Sequence, residues 1–246
     1  MSVVTALVAA ILGRVLAPSP APGGLDDLVA CLVVGAAVVW HPVWRRLRHA
    51  ITIVHEAGHG FAATVTRRRL AGIRLHSDTS GLTVSVGRPR GAGMVLTLAA
   101  GYPAPSAAGV LVAWTVGAGH AALALWGALL LLVLVLVQIR NWFGLWTVLL
   151  SGVLVAAATW WLDPMWRMRI ALALAALLLL GGLRAAMELG GARRRDRRGT
   201  SDADQLARIT ALPGGVWTAL FVLAGLVAVA AGVLLLAPPG LLPRPA

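Results

Sequence analysis

The run Ala50-Ile51-Thr52-Ile53-Val54-His55-Glu56-Ala57-Gly58-His59-Gly60-Phe61-Ala62-Ala63-Thr64-Val65-Thr66 is apolar at both ends and ionisable at its centre. At about 17 residues it sits at the lower limit for crossing a bilayer. A charge at the middle of a spanning helix costs about 2.5–3.5 kcal/mol. Three ionisable groups within five residues therefore need a compensating interaction, and a metal ion supplies one. Residues four apart share a helix face, so His55 and His59 can offer two imidazoles to one ion. Glu56 stands beside them, placed to take a proton from a water whose pKa zinc lowers toward about 7. This is the physical content of the His-Glu-x-x-His pattern, with His55 and His59 as zinc ligands and Glu56 as general base. The chain holds six His and only two Glu, Glu56 and Glu188, so random placement gives the pattern on the order of once in a thousand such chains. Ala57, Gly58 and Gly60 are small, which lets neighbouring helices and a substrate backbone approach. The plainer alternative is a solvent-facing helix with ordinary histidines.

Outward from this run, the chain reads as a series of apolar segments. Residues 2–17 form a first run, broken by Arg14 and followed by Pro18-Ser19-Pro20-Ala21-Pro22. No basic region precedes it, so it reads as an uncleaved helix rather than a signal peptide within residues 1–22. Leu28 to Trp40 predicts a second helix, ending near His41-Pro42, with Arg45, Arg46 and Arg48 in a loop before the motif. Between residues 70 and 90, Ile73, Leu75, Leu82, Val84 and Val86 alternate with polar or small residues around Asp78-Thr79-Ser80-Gly81. Period-two alternation about a turn predicts a β-hairpin. A lone hairpin cannot stand in hydrocarbon, so it belongs at the interface or against the helices. Long apolar runs follow at about 92–117, 119–139, 142–162, 168–189 and 215–236, the last ending at Pro238-Pro239-Gly240. The expected fold is thus an all-α polytopic membrane protein of seven or eight hydrophobic helices with a small interfacial hairpin.

Composition agrees. Of 246 residues, 59% are hydrophobic and 12% charged, against about 25% charged in soluble domains. The net charge is +12 and all of the basic residues are Arg. They sit in short stretches between apolar runs, where they set topology and meet anionic headgroups; this argues against a nucleic-acid partner. Exclusive arginine usage suggests a GC-rich source, and with it a bacterial plasma membrane. Arg67-Arg68-Arg69 and the 193–198 cluster are separated by four apolar runs, which puts both on one side, the cytoplasmic one. If the motif helix spans fully, Arg45, Arg46 and Arg48 fall on the wrong side; a tilted or partly inserted helix removes the conflict. Cys31 is alone, so no internal disulfide forms. Trp40, Trp44, Trp142, Trp146, Trp160, Trp161, Trp166 and Trp217 lie near expected helix ends and read as an interfacial belt.

His55-Glu56-Ala57-Gly58-His59, then Ile73-Arg74-Leu75-His76 with Ser80-Gly81-Leu82-Thr83, then Ala99-Ala100-Gly101-Tyr102-Pro103, resemble the M50B-like branch of the site-2 protease family. Arg140-Asn141-Trp142-Phe143-Gly144, Ser201-Asp202-Ala203 and Pro213-Gly214-Gly215-Val216-Trp217 continue the resemblance over most of residues 50–235. It implies a zinc-dependent protease acting on membrane-spanning substrates, with the hairpin presenting substrate as an added strand. Members of the family usually take a third ligand from an Asn-Pro-Asp-Gly-like segment, which this sequence lacks. Zinc still requires a third protein ligand and an open position. Asp202 fits the Ser-Asp-Ala piece, although Ser201 and Asp204 also form a plausible capping box. Asn141 is an amide at a helix start, better suited to binding substrate than zinc. Asp163 and Asp78 remain as further carboxylates. His76 reads as an exposed hairpin residue, and His41, His49 and His120 as interfacial or packing residues.

The expected organisation is one membrane-embedded unit over residues 1–246, with N-terminal helices in 1–49, the family-like core in 50–235 and a basic cytoplasmic loop at 190–212. The leading expectation is a zinc intramembrane endopeptidase, with a membrane protein as substrate and the lipid bilayer as its surroundings. The missing segment motivates a second reading, a scaffold or binding protein that keeps the motif without proteolysis. A third is a metal or proton transporter using His55, Glu56 and His59. The absence of visible repeats disfavours the third reading. Oligomeric state has no sequence signal.

Overall fold

A computed structural model of the chain describes residues 3–195 and 199–237. In chain order the elements are α1 (Val3–Val15), α2 (Leu25–Val39), α3 (His41–Val65), β1 (Arg69–Leu75), β2 (Gly81–Val86), α4 (Ala92–Ala100), α5 (Pro103–Gly117), α6 (Ala121–Gln138), α7 (Trp142–Trp161), α8 (Pro164–Arg195), α9 (Asp202–Ile209) and α10 (Gly214–Leu236). The protein is mostly helical, with one small antiparallel sheet.

Four helices, α6, α7, α8 and α10, are long and apolar enough to cross a membrane. Two further pairs qualify jointly but are bent: α2 with α3 by 100°, and α4 with α5 by 63°. Among the described residues this makes four candidate spans, or up to six if each bent pair is one span; the expected seven or eight hydrophobic helices are not confirmed. The difference lies in the two bent pairs and in one short helix, α1. Pro42 opens α3 just after Trp40, and Pro103 opens α5 just after Tyr102. Proline is tolerated in the first helical turn and breaks the turn before it. The expected single run at 92–117 is thereby two helices. α1 has 13 residues and α9 has 8, too few to span.

Three other expectations are corrected. Arg45, Arg46 and Arg48 lie inside α3 rather than in a loop before it, because the helix restarts directly at His41. The bend at Trp40 lies before both arginine clusters of this region: Arg45, Arg46 and Arg48 follow it in the first turns of α3, and Arg67–Arg69 come just after α3 ends. The basic stretch at 193–195 is the last turn of α8, where cationic side chains meet the helix C-terminus favourably. α8 is about 48 Å long at 1.5 Å per residue, more than the hydrocarbon thickness of about 30 Å, so its arginine end has room to project. Within 190–212 the chain forms α9, opened by a Ser201 cap as the capping-box reading expects. Finally, Trp44 is not interfacial. It is buried and its indole N–H donates to Glu188 Oε1 (2.9 Å). Arg197, Arg198 and the Pro238-Pro239-Gly240 terminus fall outside the described residues.

Three apolar clusters hold the elements together. Trp44, Val112, Val116, Leu125, Met168 and Leu172 join α3, α5, α6 and α8. Ile53, Ile73, Leu75, Leu132, Val135 and Val148 pack the hairpin against α3, α6 and α7. Leu98, Leu189, Leu206 and Phe221 join α4, α8, α9 and α10. The hairpin pairs Ile73 with Thr83 and Leu75 with Gly81. Ile73 and Leu75 point into the core, whereas Leu82, Val84 and Val86 point outward. The far side of β1 is closed by the α6–α7 connection: Arg140 N–H donates to Ile73 O (2.9 Å), and the Asn141 amide exchanges two hydrogen bonds with the Leu75 backbone (2.6 and 3.1 Å).

Because Ile73 is fully enclosed, Ile73→Ala should destabilise the protein by about 2–5 kcal/mol, while Leu82→Ala on the outward face should change stability little. Unfolding midpoints in detergent compare the two; equal effects would contradict the inward facing of β1.

Candidate functional site

The motif residues occupy one face of α3 near its middle. His59 and Glu56 are buried and His55 partly so. Their setting depends on the break between α4 and α5. Gly101, in that break, lies against the imidazoles; a Cβ there would run into the His59 ring and within 2.7 Å of His55 Cε1. Gly58 faces Ala100 and Ala104 in the same way, letting α3 and the broken pair approach closely. The Tyr102 ring then meets His55 edge-on at 4.7 Å and stacks on Phe221 at 5.1 Å.

His59 Nδ1 is 2.7 Å from the Thr97 carbonyl. A carbonyl only accepts, so Nδ1 carries the proton and, in the neutral ring, Nε2 keeps its lone pair. Such an outer hydrogen bond fixes the ring and its tautomer. Nε2 of His59 and Nε2 of His55 are 3.0 Å apart. Asp202, the first residue of α9, brings its Oδ2 to 3.3 Å from each. Burial works against ionising Asp202, but the His59 and His55 rings outweigh it and hold the carboxyl well below the usual carboxylate range. Of the carboxylates weighed from sequence, the other two are used elsewhere. Asp163 caps α8 through Met165 N and Trp166 N, and Asp78 accepts from Ser80 in the hairpin turn. Neither these nor Asn141 line the cavity at the motif. His76 and His120 are exposed, and His49 lies against Phe143.

The donor set fits zinc. In a tetrahedral site with bonds of about 2.0–2.1 Å, neighbouring donor atoms are about 3.3 Å apart. The three separations here are 3.0, 3.3 and 3.3 Å. If a zinc ion sat there, the two imidazoles and one carboxylate would supply three ligands and leave a fourth position open.

Glu56 is gripped by the hairpin. The Thr83 hydroxyl lies 2.6 Å from Glu56 Oε2 and donates to it. Gly81 sits so close to this carboxylate that a Cβ would overlap it. Thr52, one turn earlier, ties α3 to the hairpin turn by donating to Thr79 O (2.8 Å). A cavity of about 530 Å³ opens here, bounded by His55, Glu56, His59, Tyr102, Asp202 and residues 79–85. Sequence reasoning missed Thr83, Thr97 and Gly101 as supports. The signal for Gly101 and Thr83 was present, as both fall inside quoted family-like segments, but nothing local in the sequence says what they touch.

The sequence profile of the Peptidase M50B-like family matches residues 28–232. The chain belongs to that family. The match takes in α2 as well as the motif helix, the hairpin and α9. Comparison with curated proteins and with solved structures found no match.

Since Gly101 lets this M50B-like chain bring α4 and α5 onto the imidazoles, Gly101→Ala should weaken zinc binding by tenfold or more, on the order of other outer-shell disruptions. Gly127→Ala, in open space, should leave it unchanged. Competition titration with a chelator measures both; equal affinities would refute the role of the break.

Proposed function

We propose that the protein is a zinc-dependent intramembrane endopeptidase, with His55, His59 and Asp202 as ligands and Glu56 as general base. The observation that carries this is the triangle of His55, His59 and Asp202 donor atoms beside Glu56, in a chain of an M50B-like peptidase family with several helices able to cross a membrane.

Zinc bound there would polarise a peptide carbonyl and acidify an attacking water. The chain's own residues do the rest. Thr83 holds one oxygen of Glu56, which fixes the carboxylate while its other oxygen takes the proton from water and returns it to the leaving amine. Thr97 keeps His59 in the ligating tautomer. The apolar clusters on either side keep lipid from the site.

Substrates are proposed to be membrane-spanning proteins. A helical span satisfies its backbone internally and must unwind to be cut. Among the described residues β2 has one partner strand, β1, so its other edge is available along the cavity. An unwound segment adding there would regain backbone hydrogen bonds. Asn141 supports this indirectly in our reading: its amide holds β1 to α7 and so steadies the sheet rather than touching substrate. The proposed site of action is a bacterial plasma membrane, with Arg67–Arg69 and Arg193–Arg195 on the cytoplasmic side.

Purified protein should hold about one zinc per chain in both wild type and Glu56→Gln. Only wild type should cleave a model membrane substrate, the variant falling by about 10²–10⁴-fold. Zinc without cleavage in wild type would favour a non-proteolytic scaffold. Equal turnover in both would exclude Glu56 as base, and no stoichiometric zinc would exclude the metal site.

A further inference from the structure

Asp202 differs from the two histidines in how it is held. His55 and His59 ride on a 25-residue helix packed on several sides. Asp202 opens an 8-residue helix between α8 and α10. A metal ligand must stay within about 0.5 Å of its working position, and so short a helix has little of its own to keep it there.

Two sets of contacts seat α9. Ala203 and Leu206 are fully buried against Leu98, Leu189 and Phe221. Such an apolar seat resists lifting more than sliding, because apolar contacts are non-directional. The directional contacts come from Arg193 in the last turn of α8. Its Nε and terminal nitrogen lie 2.8 and 2.7 Å from Asp204 Oδ1. Its other terminal nitrogen donates to Thr218 Oγ1 on α10 (3.2 Å). The Asp204 carboxylate also accepts from the Ser201 hydroxyl (2.6 Å), at the N-cap of α9. Gly214, at the start of α10, leaves the space that the guanidinium occupies; a Cβ there would collide with it. One guanidinium thus joins α8, α9 and α10. It touches neither histidine, and neither Arg193 nor Asp204 lines the cavity. At about 100° per residue, Asp204 lies roughly 200° around the helix from Asp202, so the anchor grips α9 from the side away from the imidazoles.

We infer that Arg193 is a positioning residue, which fixes Asp202 on the zinc site by anchoring α9 through Asp204 and Thr218. The inference rests on the reading of Asp202 as a ligand. Arg suits the task, since its planar fork bonds two partners in fixed geometry where Lys would offer a point charge.

The test is a zinc titration of the full-length protein in detergent, with zinc alone as probe. Wild type, Arg193→Gln, Asp202→Ala and the double variant are compared, with Arg195→Gln as a charge control on the same exposed turn. Arg193→Gln should raise the zinc Kd about 10–100-fold, the range of outer-shell losses, and Arg195→Gln should not. In the Asp202→Ala background, Arg193→Gln should add nothing, because its effect passes through Asp202. An equal loss in both backgrounds would mean general destabilisation and would overturn the inference. A looser site in Asp202→Ala with wild-type affinity in Arg193→Gln would overturn it while leaving the ligand intact. Unchanged affinity in Asp202→Ala would instead remove the ligand reading beneath it. If Arg193→Gln does not fold, Asp204→Asn, which keeps the side-chain shape and removes the charge, carries the same comparison.

Discussion

Two imidazoles and a carboxylate drawn to within 3.3 Å of each other inside a mostly apolar bundle are the constraint around which the site is organised. Ionisable groups in such surroundings are costly, and the architecture around them is correspondingly specialised. α3 is set at 100° to α2. The α4–α5 pair breaks where a side chain would strike His59. α9 brings Asp202 to the imidazoles. The α4–α5 break and α9 both touch this cluster, and α3 carries it.

The hairpin is the second consequence. Its inward apolar residues, Ile73 and Leu75, serve the core, while Gly81 and Thr83 on the paired strand press on Glu56. One face of a two-stranded sheet therefore anchors in apolar contacts and positions a carboxylate at the same time. The outward Leu82, Val84 and Val86 would waste apolar area on a solvent-facing hairpin. Beside a membrane they gain a use, and several helices here are long and apolar enough to cross one.

Much of this was legible in the sequence, and the illegible part has a common cause. The motif, the hairpin and the α6, α7 and α10 runs show in local pattern, because 3.6-residue and two-residue periods, turn residues and spacing are local. Asp202 was one of several carboxylates until the fold brought α9 to α3 and spent Asp163 and Asp78 on capping and turn contacts. The bend between α4 and α5 was not legible, because apolar content alone does not show that Pro103 divides the 92–117 run, and the use of that break shows only in what Gly101 touches. Trp44 looked interfacial from its place near a helix end, yet Glu188, 144 residues away, supplies its partner. Long-range polar pairing of this kind leaves no trace in a single sequence.

The proposed metal site is complete only if Asp202 joins His55 and His59 as a ligand. Zinc-edge X-ray absorption on the purified protein tests this most directly. Two imidazoles with oxygen ligands at about 2.0–2.1 Å, and a changed coordination shell in Asp202→Ala, are the predicted result. A wild-type spectrum without two imidazoles, or one identical in Asp202→Ala, would contradict it.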